Sequence, residues 1–332
     1  MIDDLLHQLG LLQGWIFETA IEPLLYALGL MDYAEDVFDW MWVAMFGGVA
    51  VIAAYVICRP LELWRPVEPR ADRKAIRTDV TYTLVHRLGL VPLIVFVLLT
   101  PAGYAIDRAL MFRGILPEAI DQYVPALADW PLLTLAIYLV ILDFAEYWRH
   151  RLQHRLRWWW ALHSLHHDQR QMTLWSDDRN HILDDVLQAV WLGAIALLIG
   201  VEPAQFPIIV IVLRLVESLS HANVRLGFGR FGSWLLVSPH FHRVHHALDH
   251  ADGAASARAH GCNFAVILPV WDVLFGTRRV DPDFPPTGIR AADARWAGLG
   301  YIRHQIEGFR RLAKALAPRR RQPGPAITEP GE

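Results

Sequence analysis

Three short segments concentrate histidine: HRLQH at 150–154, HSLHH at 163–167 and HFHRVHH at 240–246. They repeat one spacing grammar, His150-x-x-x-His154, His163-x-x-His166-His167 and His242-x-x-His245-His246. On a helix, residues three or four apart share a face, so each segment can aim its imidazoles at a common point. Of 16 histidines, 13 lie between His150 and His260, which places the chemistry in one third of the chain. Buried imidazoles without partners lose solvation and repel one another when protonated, whereas metal coordination uses each lone pair. The chemistry indicated is therefore metal binding. A single zinc takes three or four protein ligands, so eight histidines call for two ions. Ligand type leaves the metal open, because imidazole serves zinc, copper, nickel and iron alike.

Carboxylates gather around these segments: Asp143, Glu146, Asp168, Asp178, Asp184 and Asp185. Asp143 and Glu146 precede His150 by seven and four residues, on its helical face, and Tyr147 precedes it by three. A carboxylate at the end of an apolar span is costly unless used, so these two are expected to accept the far N–H of ligating histidines. Tyr147 is expected to orient a ligand in the same way. The run Trp158, Trp159, Trp160 reads as an aromatic belt at a membrane interface. His7, His86 and His304 read as solvated or satisfied helix residues, and His240, His250 and His260 as loop residues.

The elements that position these residues are apolar helices. Hydrophobic residues make up 54% of the chain and there are 14 Trp, a membrane composition. Residues 40–58 and 88–106 carry no charge and are long enough to span a bilayer core. A third span covers 130–148 if Asp143 and Glu146 face inward, and 186–201 with 203–220 read as a hairpin hinged at Glu202-Pro203. Residues 1–39 hold eight acids and no Lys or Arg, whereas 59–87 hold seven basic residues and 149–179 hold six. The positive-inside rule then puts the N-terminus outside and every histidine segment in the cytoplasm. Residues 1–39 are expected to form interfacial helices without a cleaved signal, and 301–316 a helix on an anionic leaflet before a disordered tail. The fold expected is an all-α polytopic membrane bundle of about four spans with a cytoplasmic histidine-rich helical cap. Its parts are residues 1–39, the membrane domain 40–280 and the C-terminal helix and tail 281–332.

Composition excludes other classes. A net charge of −3, with arginines in short clusters beside apolar runs, gives no surface for nucleic acid. Two cysteines, Cys58 and Cys262, build neither a disulfide framework nor a CxxC zinc site. Two Lys against 29 Arg point to a GC-rich bacterial source and hence an inner membrane.

These motifs resemble the fatty acid hydroxylase and sterol desaturase superfamily, integral-membrane non-haem diiron oxygenases with HxxxH, HxxHH and HxxHH in this order. The similarity extends through DFAEYWRHRLQH (143–154), WWALHSLHH (159–167), RNH (179–181), SHAN (220–223), SPHFHRVHH (238–246) and CNFAVILPVWDVLFGT (262–277), and covers about residues 40–280. The resemblance implies that His150, His154, His163, His166, His167, His242, His245 and His246 are metal ligands, with His221 and His181 completing the set. It also places Asn263, Trp271 and Asp272 where the family closes its cap, Asn263 being a candidate donor to the site. The chain departs from the family at Asp168, Ile182 and Arg225, where Ser, Pro and a further His are common.

The resemblance implies two iron ions, with zinc as the alternative occupant, and O2 as co-substrate. Unactivated C–H bonds yield to no side chain and require a redox metal with dioxygen. The activity expected is hydroxylation or desaturation of a lipid alkyl or sterol-like substrate drawn from the bilayer. No haem module, Rossmann fingerprint or iron–sulfur cysteine cluster is present, so electrons must come from an external ferredoxin, cytochrome or reductase. Arg151, Arg155 and Arg157 are candidates for its docking. The rival reading is a membrane-embedded zinc-dependent lipid hydrolase, against which stand the absence of HExxH and the excess of ligands.

Overall fold

In chain order the computed structural model contains α1 (Ile2–Ile16), α2 (Glu22–Leu28), α3 (Ala34–Trp64), α4 (Arg73–Leu88), α5 (Leu90–Phe112), α6 (Ile120–Tyr123) and α7 (Pro131–Arg155). There follow α8 (Arg157–His167), α9 (Ile182–Leu198), α10 (Phe206–His221), α11 (Gly229–Leu235), α12 (Pro239–His245), α13 (Val270–Leu274) and α14 (Tyr301–Leu316). It describes residues 2–88, 90–114, 118–201, 206–248, 261–290, 296 and 298–317. Among these, the only β pairing is an isolated bridge between Ala247 and Thr287. The Glu202-Pro203 hinge, His250, His260 and the tail lie outside the described residues.

Two stretches, Met31–Trp64 and Pro131–Arg155, are long and apolar enough to cross a membrane by length and composition. The first takes in more than the expected 40–58, because Ala34–Trp64 continues as one helix through Pro60. The expected hairpin falls on α9 and α10, helices of 17 and 16 residues. At 1.5 Å per residue each reaches about 25 Å, short of a roughly 30 Å hydrocarbon core. The acidic N-terminal stretch is helical, as expected, with a π-helical turn at Phe17–Ile21 joining α1 to α2.

Local sequence sets the helix ends that matter for the site. Pro131 starts α7 at a position where its missing N–H costs nothing. Leu156, extended at φ −91° and ψ 115°, ends α7 and redirects the chain into α8, which packs back against α7. Ser238 caps α12, its hydroxyl accepting from the Phe241 N–H at 3.1 Å, with Pro239 following.

Buried polar contacts fasten the connecting segments between the helices. Glu62, near the end of α3, accepts from the backbone N–H of Leu174 (2.8 Å) and Asn223 (3.2 Å). Arg87 at the end of α4 binds Asp178 at 2.9 Å and also pairs with Asp177. Asp79 accepts from Arg179 Nε at 2.6 Å. The approach of α3 to α4 is so close that a Cβ on Gly47 would sit 2.1 Å from the Arg87 carbonyl oxygen.

The C-terminal helix α14 docks on α8 and α4. It buries His304, Gln305 and Gly308 while Ile302, Ile306 and Phe309 stay exposed. His304, expected to be an ordinary helix residue, donates from Nε2 to the Trp296 carbonyl (3.0 Å) and faces the Tyr82 hydroxyl (3.2 Å). Trp296 and Tyr82 share a buried cluster with Trp160, Leu165 and Ile289.

Two tests address this docking. A Cβ on Gly308 would lie 2.2 Å from His181 Cδ2. Gly308→Ala should therefore destabilise the protein by about 1–3 kcal/mol through overpacking, read as a lower midpoint in thermal unfolding. Burial pushes His304 from its ordinary 6.5 down to about 4. A depressed imidazole contributes stability that is present above about 6.5 and lost as pH falls toward 4. Amide exchange across 301–316 should accelerate over that window, and His304→Asn should remove the acceleration.

Candidate metal centre

The histidines converge on two adjoining groups. His150 and His154 of α7, His163 and His167 of α8 and His245 of α12 form the first; His166 of α8, His221 at the end of α10, His242 of α12 and His246 just past its end form the second. Within each group the ligand atoms lie within 4.8 Å of one another, and none of the nine residues is more than 6% exposed. Helical spacing explains the division. On α8, the pair four apart, His163 and His167, turns to the first group while His166 points to the second. On α12 the sense is reversed: His242 and His246 turn to the second group and His245 to the first. Each HxxHH segment thus supplies two ligands to one centre and one to the other.

Backbone carbonyls set the ring orientations. His150 Nδ1 donates to the Phe264 carbonyl at 2.8 Å, His245 Nδ1 to that of Cys262 at 2.7 Å, and His221 Nδ1 to that of Glu217 at 2.8 Å. A carbonyl only accepts, so in these three rings the proton is on Nδ1 and Nε2 presents a bare lone pair. The Nε2 atoms face one another: His245 to His167 at 3.1 Å, His221 to His166 at 3.1 Å, His221 to His242 at 3.0 Å and His242 to His246 at 3.1 Å. Two nitrogens bound at about 2.1 Å lie about 3.0 Å apart at right angles and about 3.4 Å apart at the tetrahedral angle. The spacing matches neighbouring positions on a common ion. Without a cation these buried lone pairs would oppose one another, and both nitrogens of His154 have no hydrogen-bond partner. Burial first, then the adjacent imidazoles, hold His166, His167, His242 and His246 well below the ordinary 6.5, so they stand neutral and ready to ligate.

His181 does not join either group. Its Nδ1 accepts from the Leu183 N–H at 3.1 Å, capping α9, and its Nε2 donates to the Gln305 carbonyl at 2.9 Å. Both nitrogens are engaged, and the proton is on the opposite nitrogen from that in His150, His221 and His245. His240 stands apart as expected, its Nε2 donating to the Asp283 carbonyl at 2.8 Å.

The expected supporting residues act at one remove. Asp143 accepts from the backbone N–H of Ile267 (2.8 Å) and Leu268 (3.0 Å) and from Trp271 Nε1 (2.8 Å), and touches no ligand. Asp272 accepts from the N–H of Phe264 and Ala265, both at 2.8 Å. Asn263 adopts φ 54°, donates to the Phe241 and Arg279 carbonyls at 3.0 Å and accepts from the Arg279 N–H at 2.7 Å. Together they fix the segment whose carbonyls, Cys262 and Phe264, flank Asn263 and orient His245 and His150. Glu146 instead binds Arg149 through both oxygens (2.8 and 2.6 Å), and Tyr147 pairs with the Thr277 hydroxyl at 2.9 Å. The carboxylates that do approach ligands are Asp184, 3.4 Å from His163 Nδ1, and Asp177, 3.7 Å from His221 Nδ1. Burial alone would raise Asp184, but His163, Arg149 and Gln153 overcome it and keep the group ionised. Trp159 and Trp160 are buried rather than belted at an interface: Trp159 donates to Asp184 at 2.6 Å, and Trp160 packs against His154 and His167. The carbonyl acceptors left no signal in the sequence, since every residue carries one.

Beside the histidines lies a cavity of about 40 Å³ bordered by Arg149, Gln153, Arg214 and Glu217, with Val266 its one apolar lining residue among those described.

Residues 135–277 match the fatty acid hydroxylase family. The chain is similar to the ornithine lipid hydroxylase OlsE of Rhizobium tropici, 27% identical over 242 residues, 72% of this chain and 66% of that one. It is also similar to the alkylglycerol monooxygenases of Homo sapiens (28% identical over 41% of this chain and 28% of that protein) and Danio rerio (29% over 42% and 29%). The chain thus spans just under two thirds of OlsE and less than a third of these monooxygenases. No solved structure matches it.

Because the two groups share no histidine, His166→Ala and His245→Ala should each strip mainly one centre, lowering metal per chain by about half by elemental analysis. Full metal content in both variants would remove the ligand assignment. Asp184→Asn should weaken metal affinity about 10–100-fold with the fold intact, as expected when a carboxylate behind a ligating imidazole is lost.

Proposed function

We propose that this chain, whose residues 135–277 match the fatty acid hydroxylase family, is a membrane oxygenase that hydroxylates a lipid at a histidine-bound pair of irons. The observation that carries this reading is the pair of buried histidine groups whose facing Nε2 atoms lie 3.0–3.1 Å apart. Nine imidazoles fit two ions and exceed what one hydrolytic zinc requires. Iron bound there would supply the activation of O2 needed to break an unactivated C–H bond. The balance is R–H plus O2, two electrons and two protons giving R–OH and water, the electrons coming from an external one-electron carrier.

The protein's own residues contribute binding and orientation. His150, His245 and His221 are locked by their carbonyl acceptors, and Asp184 steadies His163. Polar and charged side chains line the cavity beside them, which favours a carbon next to a headgroup over one in mid-chain. Both relatives, by their names, act on amphiphiles: an ornithine lipid and an alkylglycerol. We place the centre on the cytoplasmic side of a bacterial inner membrane, below a bundle of spans that includes α3 and α7. The exposed Ile302, Ile306 and Phe309 of α14 fit a helix resting on that leaflet.

Iron-loaded protein given a chemical reductant and lipid extract should consume O2 and yield a lipid heavier by one oxygen atom in mass spectrometry. His245→Ala should do neither. Turnover without O2 on zinc-loaded protein, releasing a hydrolysed lipid, would replace this reading with the hydrolase.

A further inference from the structure

Beyond the histidines, the cap carries an apolar face that none of the described residues covers. On α11, Phe231, Trp234 and Leu235 follow the i, i+3, i+4 spacing of one helical face and are 81%, 46% and 70% exposed. Behind that face runs an open groove of about 390 Å³ lined by Arg230, Arg278 and Arg279 against one acid among the described residues, Asp281. Arg278 is fixed in place: its guanidinium lies 4.6 Å over the Trp234 ring and donates to Ser233 Oγ at 3.1 Å, while its buried Nε has no partner. Guanidinium groups suit phosphate and carboxylate oxygens, and an apolar strip rimmed with Arg and Trp is the composition of a bilayer interface.

The strip is continuous with an apolar span. Val237 N–H bonds the Ile267 carbonyl at 2.8 Å, joining the end of α11 to the segment before α13. From α13, Trp271 packs 4.9 Å from Phe144 of α7, and Phe275, just past its end, lies 5.0 Å from Trp148. Leu274 is 65% exposed beside them. Arg151 reaches over Trp148 at 5.2 Å, as a cation does where a helix leaves the hydrocarbon. A soluble partner would not need an apolar surface that merges with a membrane helix.

We propose that the outer face of α11 rests in the cytoplasmic leaflet and that the Arg230/Arg278 groove seats the anionic headgroup of a bilayer lipid. This rests on the membrane placement given under the proposed function, but not on the reaction. Phe241 and Val244 of α12 also line the groove, and the same short helix carries His242 and His245. A seated lipid therefore braces the helix that supplies ligands to both centres.

The test uses full-length protein in nanodiscs. Leu235→Cys, and Ile52→Cys on the exposed face of α3 as the span reference, are each labelled with bimane; both native cysteines are buried. Leu235 should be quenched by lipid brominated near the headgroup and Ile52 by lipid brominated on the acyl chain, and both should be shielded from aqueous iodide. Phosphatidylglycerol added to a phosphatidylcholine disc should raise the melting temperature, free glycerol phosphate should not, and Arg230→Gln/Arg278→Gln should lose the rise. Quenching at Ile52 but not at Leu235 would overturn this proposal alone; failure at both would remove the membrane placement itself. A thermal shift retained in the double variant, or one reproduced by glycerol phosphate, would also overturn it. So would a double variant that slows only carrier-driven turnover and keeps the lipid-induced shift, which would mark a docking site for an acidic electron carrier.

Discussion

The arrangement depends on lone pairs that have been taken out of water and pointed at one another. A buried imidazole is tolerable when both nitrogens are used. In His150, His221 and His245 one nitrogen is used by a backbone carbonyl, which fixes the proton on Nδ1 and leaves Nε2 facing other Nε2 atoms. That geometry is unfavourable for bare protein and favourable around a cation. Most of the surrounding polar structure follows from having to keep those rings in place. Asp143, Asp272 and Asn263 do not meet the histidines; they hold the stretch 262–268, so that the carbonyls of Cys262 and Phe264 stay where the rings need them. Left-handed backbone at Asn263 lets the two carbonyls on either side of it serve two ligands.

Helix geometry does the rest of the sorting. The expectation that each HxxHH segment aims all three rings at one point does not hold, because residues one apart diverge by about 100° around a helix and the rings divide between the two groups. Two such segments used in opposite senses, with HxxxH on α7 and one ring from α10, give five nitrogen donors to one group and four to the other. The abrupt turn at Leu156 makes this reachable, since α8 must fold back beside α7 for His163 and His167 to meet His150 and His154. Glu62, Asp79, Arg87 and Arg179 then clamp the connecting segments with buried ionic and backbone contacts. Such contacts specify one arrangement more than they add stability.

Where the reading of the sequence succeeded, it relied on periodicity. Histidines three and four apart had to share faces, so eight of the clustered rings were legible, and His221 was legible through the family resemblance. Where it missed, the missing information was a partner far along the chain. His181 has the residue type of a ligand, but Gln305 and the helix it caps occupy both nitrogens. Asp143 and Glu146 lie on the right face of α7, yet the carboxylates that approach rings are Asp184, 21 residues after His163, and Asp177, beside His221. The tryptophan run reads as an interface, yet Trp159 and Trp160 are interior because α9 and α14 pack on α8.

From the sequence alone it could be read that the chain is helical and apolar, that its histidines are spaced as a metal-binding set would be, and that its motifs resemble those of a lipid-oxidising family. Local spacing and composition are enough for that, since both act within one or two helical turns. It took the packing of the helices to show which ring lies in which group, which carbonyl sets the tautomer of His150, His221 and His245, and that polar side chains surround the space beside the rings. Those outcomes depend on distances between helices that meet after a hundred residues of intervening chain, which no local pattern encodes.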